Sequence, residues 1–132
     1  MKLLIDDNIL LDVLMKRELF LTNSARIWRM CESGQTEGIV TTHSIANIMY
    51  VARRKWNPEE RNVMLRKIRS IFSLEATKEI DLIHAASYRW NDFEDAVRSA
   101  VARRIGADYI ITRVCSTIEL PKKSVQNSPL SA

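Results

Sequence analysis

Glycine and proline are scarce, three of each in 132 residues. Many-stranded sandwiches and barrels need more turn residues than that, so most of the chain must lie in regular elements with short connections. Cysteine is scarcer still. Cys31 and Cys115 lie far apart with no CxxC pair, and His43 and His84 are isolated, which argues against a structural zinc site. No apolar run approaches the roughly 20 residues that cross a bilayer, so no membrane partner is expected. Met1-Lys2 leads directly into a strand-like segment, without the apolar stretch and cleavage site of a signal peptide. The reading is a cytoplasmic protein with reduced thiols.

What is present is an ordinary globular mix, with 46% hydrophobic and 27% charged residues, which excludes disorder and collagen-like repeats. The length suits one domain with its own core, read as residues 1–132. Twenty Lys and Arg against sixteen Asp and Glu leave a net charge of +4, compatible with a polyanionic partner but weak evidence alone.

Apolar periodicity orders the chain. Lys2–Ile5 reads as a buried strand, followed by a helix with Ile9, Leu10, Leu11, Leu14 and Met15 on its apolar face. Thr22, Asn23 and Ser24 offer caps for a second helix stopped near Gly34. Gly38–Thr42 is a second strand, and Ser44 can cap a third helix. Asn57-Pro58-Glu59-Glu60 starts a fourth. Leu74–Thr77 is a brief strand or a connection. Ile80–Trp90 and Asp92–Ile105 are further helices, the latter closed by Gly106. Asp108–Thr112 is the clearest late strand, and Ser124–Gln126 a final edge strand. Strands separated by helices imply parallel pairing, hence a three-layer α/β/α domain with a mainly parallel central sheet. The strands from Lys2 and Asp108 should both be buried within it.

Ligands of such sheets bind outside the carboxyl ends of the strands. Asp6 ends the first strand, Thr112 and Arg113 end the late one, and Asp92-Phe93-Glu94-Asp95 opens the helix before it. Asp6 and Asp95 can therefore converge. Convergent carboxylates without Cys or His suit a hard cation such as Mg²⁺ or Mn²⁺. A plainer reading stands beside this one, since Asp92 and Asp95 also have the spacing of a helix cap. Asp6 is harder to dismiss, because a carboxylate ending an apolar strand needs a cation, donors or a proton. Asp7 and Asp12 read as solvated or capping acids.

The segment Leu4-Ile5-Asp6-Asp7-Asn8-Ile9-Leu10-Leu11-Asp12 resembles the opening motif of the PIN domain, a metal-dependent nuclease family that includes VapC-type toxins of toxin–antitoxin pairs. Thr42–Tyr50, Asp92–Ala96 and Gly106–Arg113 follow in the family's order, and Ser128-Pro129 matches its common end. The likeness spans essentially the whole chain. It implies that Asp6 and Asp95 are metal-binding, that Asp92 is an additional catalytic acid, and that Thr112 supports an acid or the substrate phosphate. Asp7 stands where the family commonly has Thr. The family's second acid falls on Asn47, which can lend a carbonyl oxygen but no charge. Its later acids fall on Val114 and Thr117. These departures imply a weakened site.

By this resemblance the function is a metal-dependent ribonuclease hydrolysing RNA phosphodiester bonds, the toxin of a toxin–antitoxin pair, using Mg²⁺ or Mn²⁺. The alternative is a catalytically weak or inactive PIN-like module that binds nucleic acid or protein. A response-regulator receiver is excluded because no Asp lies between Asp12 and Asp81 to accept a phosphoryl group. Arg53, Arg54 and Lys55, with Arg61, Arg66, Lys67 and Arg69, form a basic ridge suited to an RNA backbone, joined by Arg113 at the strand end. Trp56 reads as a base-stacking or a packing residue. Phe20, Ile27 and Trp28 read either as an exposed apolar surface covered by a second copy in a homodimer or by an antitoxin partner chain, or as side chains that fill the monomer core.

Overall fold

The first strand, β1 (Lys2–Ile5), is paired along both edges. Parallel β2 (Glu37–Thr41) lies on one side and parallel β4 (Tyr109–Ile111) on the other. β3 (Ser73–Glu75) joins β2, also parallel, for the order β3-β2-β1-β4. The computed structural model describes residues 1–112. The edge strand expected at Ser124–Gln126 lies outside them, and among the described residues β4 is outermost.

Successive strand residues face opposite sides of a sheet, and here both sides are dry. Leu3, Ile5, Val40 and Ile111 enter one core, while Leu4, Ile39 and Ile110 enter another. The first core is filled from α1 (Asp7–Leu14), α2 (Glu18–Glu32), α3 (Thr42–Val51) and α4 (Pro58–Ile71). On the second face Ala102 of α6 (Phe93–Ile105) meets the sheet. α5 (Glu79–Tyr88) packs on α6 through Ala85 and Tyr88 against Ala96 and Ala100. This is the expected three-layer α/β/α arrangement, with the Lys2 and Asp108 segments both contributing strands.

Asn57 forms a full capping box with Glu60 at the start of α4, and Gly106 takes a left-handed φ of 72° to end α6. Two expected caps are corrected. α2 begins at Glu18, so Thr22, Asn23 and Ser24 lie inside the helix. Ser24 is buried and donates its hydroxyl to Asp12 at 2.7 Å. Thr41, not Ser44, caps α3, accepting from the Ser44 amide at 3.0 Å. Asp12 is fully buried beside Arg17 at 3.7 Å, and Asp7 is buried too, so neither is a solvated acid. Asp7 opens α1, where its charge favours the helix N-terminus.

Ile27 and Trp28 take the core alternative of their two readings. Both are buried in the first core, with Trp28 edge-on to Phe72 at 5.1 Å. They fill the chain's own interior and offer no exposed face for a second copy. Phe20 is half-buried. The surface apolar side chains include Leu19 of α2 beside Phe20, Ile80, Leu82 and Ile83 of α5, and Phe93 of α6.

Candidate active site

Because β1 and β4 are parallel neighbours, their carboxyl ends meet at one point. The Asp6 amide donates to the Ile111 carbonyl at 3.0 Å, which holds Asp6 at that edge of the sheet. Its side chain is only 10% exposed. α6 runs back toward β4 through Gly106, so its first turn returns to the same end. One side chain of α6 joins the two acids. The Arg98 guanidinium places Nη2 at 3.1 Å from Asp6 Oδ1 and Nη1 at 3.1 Å from Asp95 Oδ1.

Asp92 does something different. Its Oδ1 accepts the Asp95 amide at 3.1 Å as the N-cap of α6, and its side chain is exposed at the rim. The cap geometry read from the sequence is therefore present at Asp92. Asp95 is half-exposed and turned toward Arg98.

Asp7 completes the acidic cluster. The Asp6 and Asp7 side chains are hydrogen-bonded to each other, and their ionisation is pushed apart. Burial, then the bond to Asp7, raises Asp6 to about 7 against the opposing pull of Arg98. Burial works to raise Asp7 also, but the hydrogen bonds from Asp6 and Asn47 and the Arg98 charge outweigh it, and Asp7 lies below its ordinary value. One proton on Asp6 serves the pair, a consequence of two carboxylates crowded together.

Asn47 is exposed on α3, and its side-chain amide donates to Asp7 Oδ2. It thus meets the acidic cluster through Asp7 rather than through Asp6. Thr112 is half-buried just beyond β4. Arg113, Val114 and Thr117 lie outside the described residues. Arg53, Arg54 and Lys55 are exposed just past the end of α3, where the Arg53 guanidinium lies 4.0 Å over the Tyr50 ring. Trp56 beside them is buried in the first core, which selects packing from its two readings.

Arg98 and Asp7 are the residues that sequence reasoning missed. The signal for Arg98 was its place three residues after Asp95, which puts both on one face of a helix. Next to Arg98 a largely apolar groove of about 340 Å³ opens between α3, α5 and α6, lined by Ser44, Leu82, Phe93 and Val97 among others.

A metal fits this cluster by donor type. Carboxylate oxygens suit a hard divalent cation. Two of them already converge on a single cationic group, the Arg98 guanidinium. Among the described residues, no group of three or more His, Cys, Asp or Glu side chains is arranged to hold an ion, so the fit rests on donor type.

A sequence profile described as the PIN domain matches residues 2–113. No curated protein matches the chain in sequence. The crystal structure of Mycobacterium tuberculosis VapC20, a sarcin-ricin loop cleaving toxin, is similar with a TM-score of 0.64 and 16% identity, over 82% of this chain and 86% of that one. The PIN domain endonuclease Utp24 is similar with a TM-score of 0.40 and 15% identity, over 92% and 91% of the two chains. At 16% identity the likeness to the VapC20 structure concerns the fold alone.

Proposed function

Because this chain belongs to the PIN domain family, we propose that it is a nuclease that hydrolyses RNA phosphodiester bonds at the Asp6–Asp95 cluster with the help of Mg²⁺ or Mn²⁺. The observation that carries this reading is the convergence of Asp6 and Asp95 on one guanidinium, from opposite ends of the sequence. Fold membership alone would not support an activity.

A divalent ion at such a cluster activates a water and neutralises charge growing on the phosphate. The chain's own groups divide the remaining work. Asp6 and Asp95 would hold the ion, Asp6 from the end of β1 and Asp95 from the first turn of α6. Asp92 caps that turn and so fixes the backbone from which Asp95 projects. Asp7 shares the Asp6 proton. Asn47 keeps Asp7 oriented. Thr112, at the adjacent strand end, supports an acid or the phosphate. Arg53, Arg54, Lys55 and Arg113 supply contacts to the RNA backbone.

In the toxin branch the chain would be paired with an antitoxin protein. The homodimer reading rested on exposure of Phe20, Ile27 and Trp28, and the burial of Ile27 and Trp28 removes their part of that support.

A second reading, an RNA- or protein-binding module that does not cut, is favoured by one observation. Asn47 stands in the acidic cluster as a hydrogen-bond donor to Asp7 and contributes no charge for a cation. The two readings separate in one assay. Purified protein incubated with RNA should cleave it in Mn²⁺ or Mg²⁺, lose the activity in excess chelator, and lose it in Asp6→Asn and Asp95→Asn. RNA binding that persists with no cleavage under any of these ions would replace the nuclease with the binding module.

A further inference from the structure

Arg98 occupies the point on which the acidic cluster converges. Its two terminal nitrogens each lie 3.1 Å from a carboxylate oxygen, one on Asp6 and one on Asp95. A guanidinium has five N–H donors in a planar fork, so one side chain can engage two separate carboxylates, and charge-assisted hydrogen bonds of this kind are among the stronger ones. The Arg98 side chain is only 18% exposed and the Asp6 side chain 10%, so water screens this part of the cluster poorly. Asp95 is 57% exposed and contributes less.

We infer that Arg98 is the resident counter-cation of the Asp6–Asp95 pair, and that a divalent ion binds there only by displacing it. This rests on the proposal that these acids form a metal site, and adds a residue that controls its loading. A guanidinium and a metal ion cannot share the same carboxylate oxygens at close range, because their positive charges repel. Arg98 therefore lowers the apparent ion affinity by the strength of the contacts that must be broken. The displaced side chain has a destination, since Arg98 also lines the groove between α3, α5 and α6. From there it can meet the backbone of a bound RNA, because a guanidinium pairs with phosphate as readily as with carboxylate. Substrate and ion would then favour the same position of Arg98, each relieving the other of the cost of moving it.

The test is Mn²⁺ binding by isothermal titration calorimetry, with no nucleic acid present, for the wild-type chain and the variants Arg98→Gln, Arg98→Lys and Asp6→Asn. Arg98→Gln removes the charge and keeps much of the side chain, and it should tighten Mn²⁺ binding by roughly tenfold or more, the equivalent of one charge-assisted contact. Arg98→Lys keeps the charge but loses the fork and should fall between the two. It also serves if the Gln variant does not fold. Asp6→Asn should abolish binding in both the wild-type and the Arg98→Gln background.

Mn²⁺ affinity that is unchanged or weaker in Arg98→Gln, with wild-type binding still lost in Asp6→Asn, overturns the role of Arg98 and leaves the metal site standing. Binding that is absent from every form, or indifferent to Asp6→Asn, overturns the metal site and the role of Arg98 with it.

Discussion

Asn47 on α3 donates its side-chain amide to Asp7 in the first turn of α1. After burial of Asp6 and the bond between the two acids, this bond adds to the bias that leaves Asp7 the ionised member of the pair. A donor on Asp7 stabilises its charge, and the proton stays on the more deeply buried Asp6. An Asn at this position thus contributes to the cluster as a donor that favours the charged form of Asp7.

The first expected outcome follows from that pair. Asp6 ionises near 3.8 in the unfolded chain and near 7 in the folded metal-free protein, so the folded state binds the extra proton between those values. Stability from this group accordingly falls as pH rises from about 4 to about 7. Asp7 acts in the opposite sense, with a contribution present above its unfolded value and lost as pH falls through its lowered folded one. Asp6→Asn should flatten the decline between pH 4 and 7 and raise the metal-free Tm at pH 8. Circular dichroism melts across this range measure it, and an unaltered slope would count against the shared proton.

Gly38 offers a sharper packing test. A Cβ built there would lie 2.6 Å from Cys31 Sγ and 2.7 Å from Phe72 Cδ1, with Phe72 buried against Trp28. Neither neighbour is the free end of a flexible chain. Gly38→Ala should cost about 1–3 kcal/mol by overpacking, read as a lower urea midpoint with an unchanged slope. A neutral result would mean that β2 and α4 yield more easily than their packing implies.

The link between α5 and α6 should depend on one ion pair. Arg104 grips the fully buried Asp81 through Nε–Oδ1 at 2.9 Å and Nη2–Oδ2 at 3.0 Å, and reaches Glu75 at 3.2 Å. Burial works against the Asp81 charge, but the Arg104 and Lys78 hydrogen bonds win and hold its pKa below the ordinary value. Its stabilising contribution is therefore present above the unfolded value of 3.8 and lost as pH falls through the lower folded one. Arg104→Ala leaves Asp81 buried without its partner and should cost about 3 kcal/mol. Thermal melts of the variant at pH 7 and at pH 3 would show the penalty shrinking in acid.

RNA binding, if it uses the basic ridge, should carry a salt signature. Replacing Arg53, Arg54 and Lys55 together by Gln should weaken binding to single-stranded RNA at all sequences alike. The slope of log affinity against log salt should fall by about 2, the release expected for three phosphate contacts. Fluorescence anisotropy at several salt concentrations measures both. All three side chains are exposed and outside the core, so the fold should be unaffected. An unchanged slope would move the RNA path away from this end of α3.

Much of the architecture was legible in the chain. Periodicity in Lys2–Ile5 and Asp108–Thr112, the Asn57-Pro58-Glu59-Glu60 start and the Gly106 stop are local signals, and local signals survive folding. Caps were less legible. Thr22, Asn23 and Ser24 looked like a helix start because those side chains compete for backbone donors, yet the buried Asp12 claimed the Ser24 hydroxyl. Composition could not separate these uses. Ile27 and Trp28 were likewise apolar on any reading, and only the position of Phe72 placed them inside the chain rather than between two copies.

The same division runs through the candidate site. The sequence by itself determined that an acid would end β1 and that acids would open α6, because strand ends and helix starts are set by residues nearby. Tertiary structure alone decided that Asp7 would be buried and hydrogen-bonded to Asp6 and Asn47, and that Arg98 would stand between Asp6 and Asp95. The reason is physical. A side chain's charge partner is whichever group the packing of distant elements brings within hydrogen-bond reach, and here parallel pairing of β1 with β4 and the return of α6 brought a guanidinium to two carboxylates.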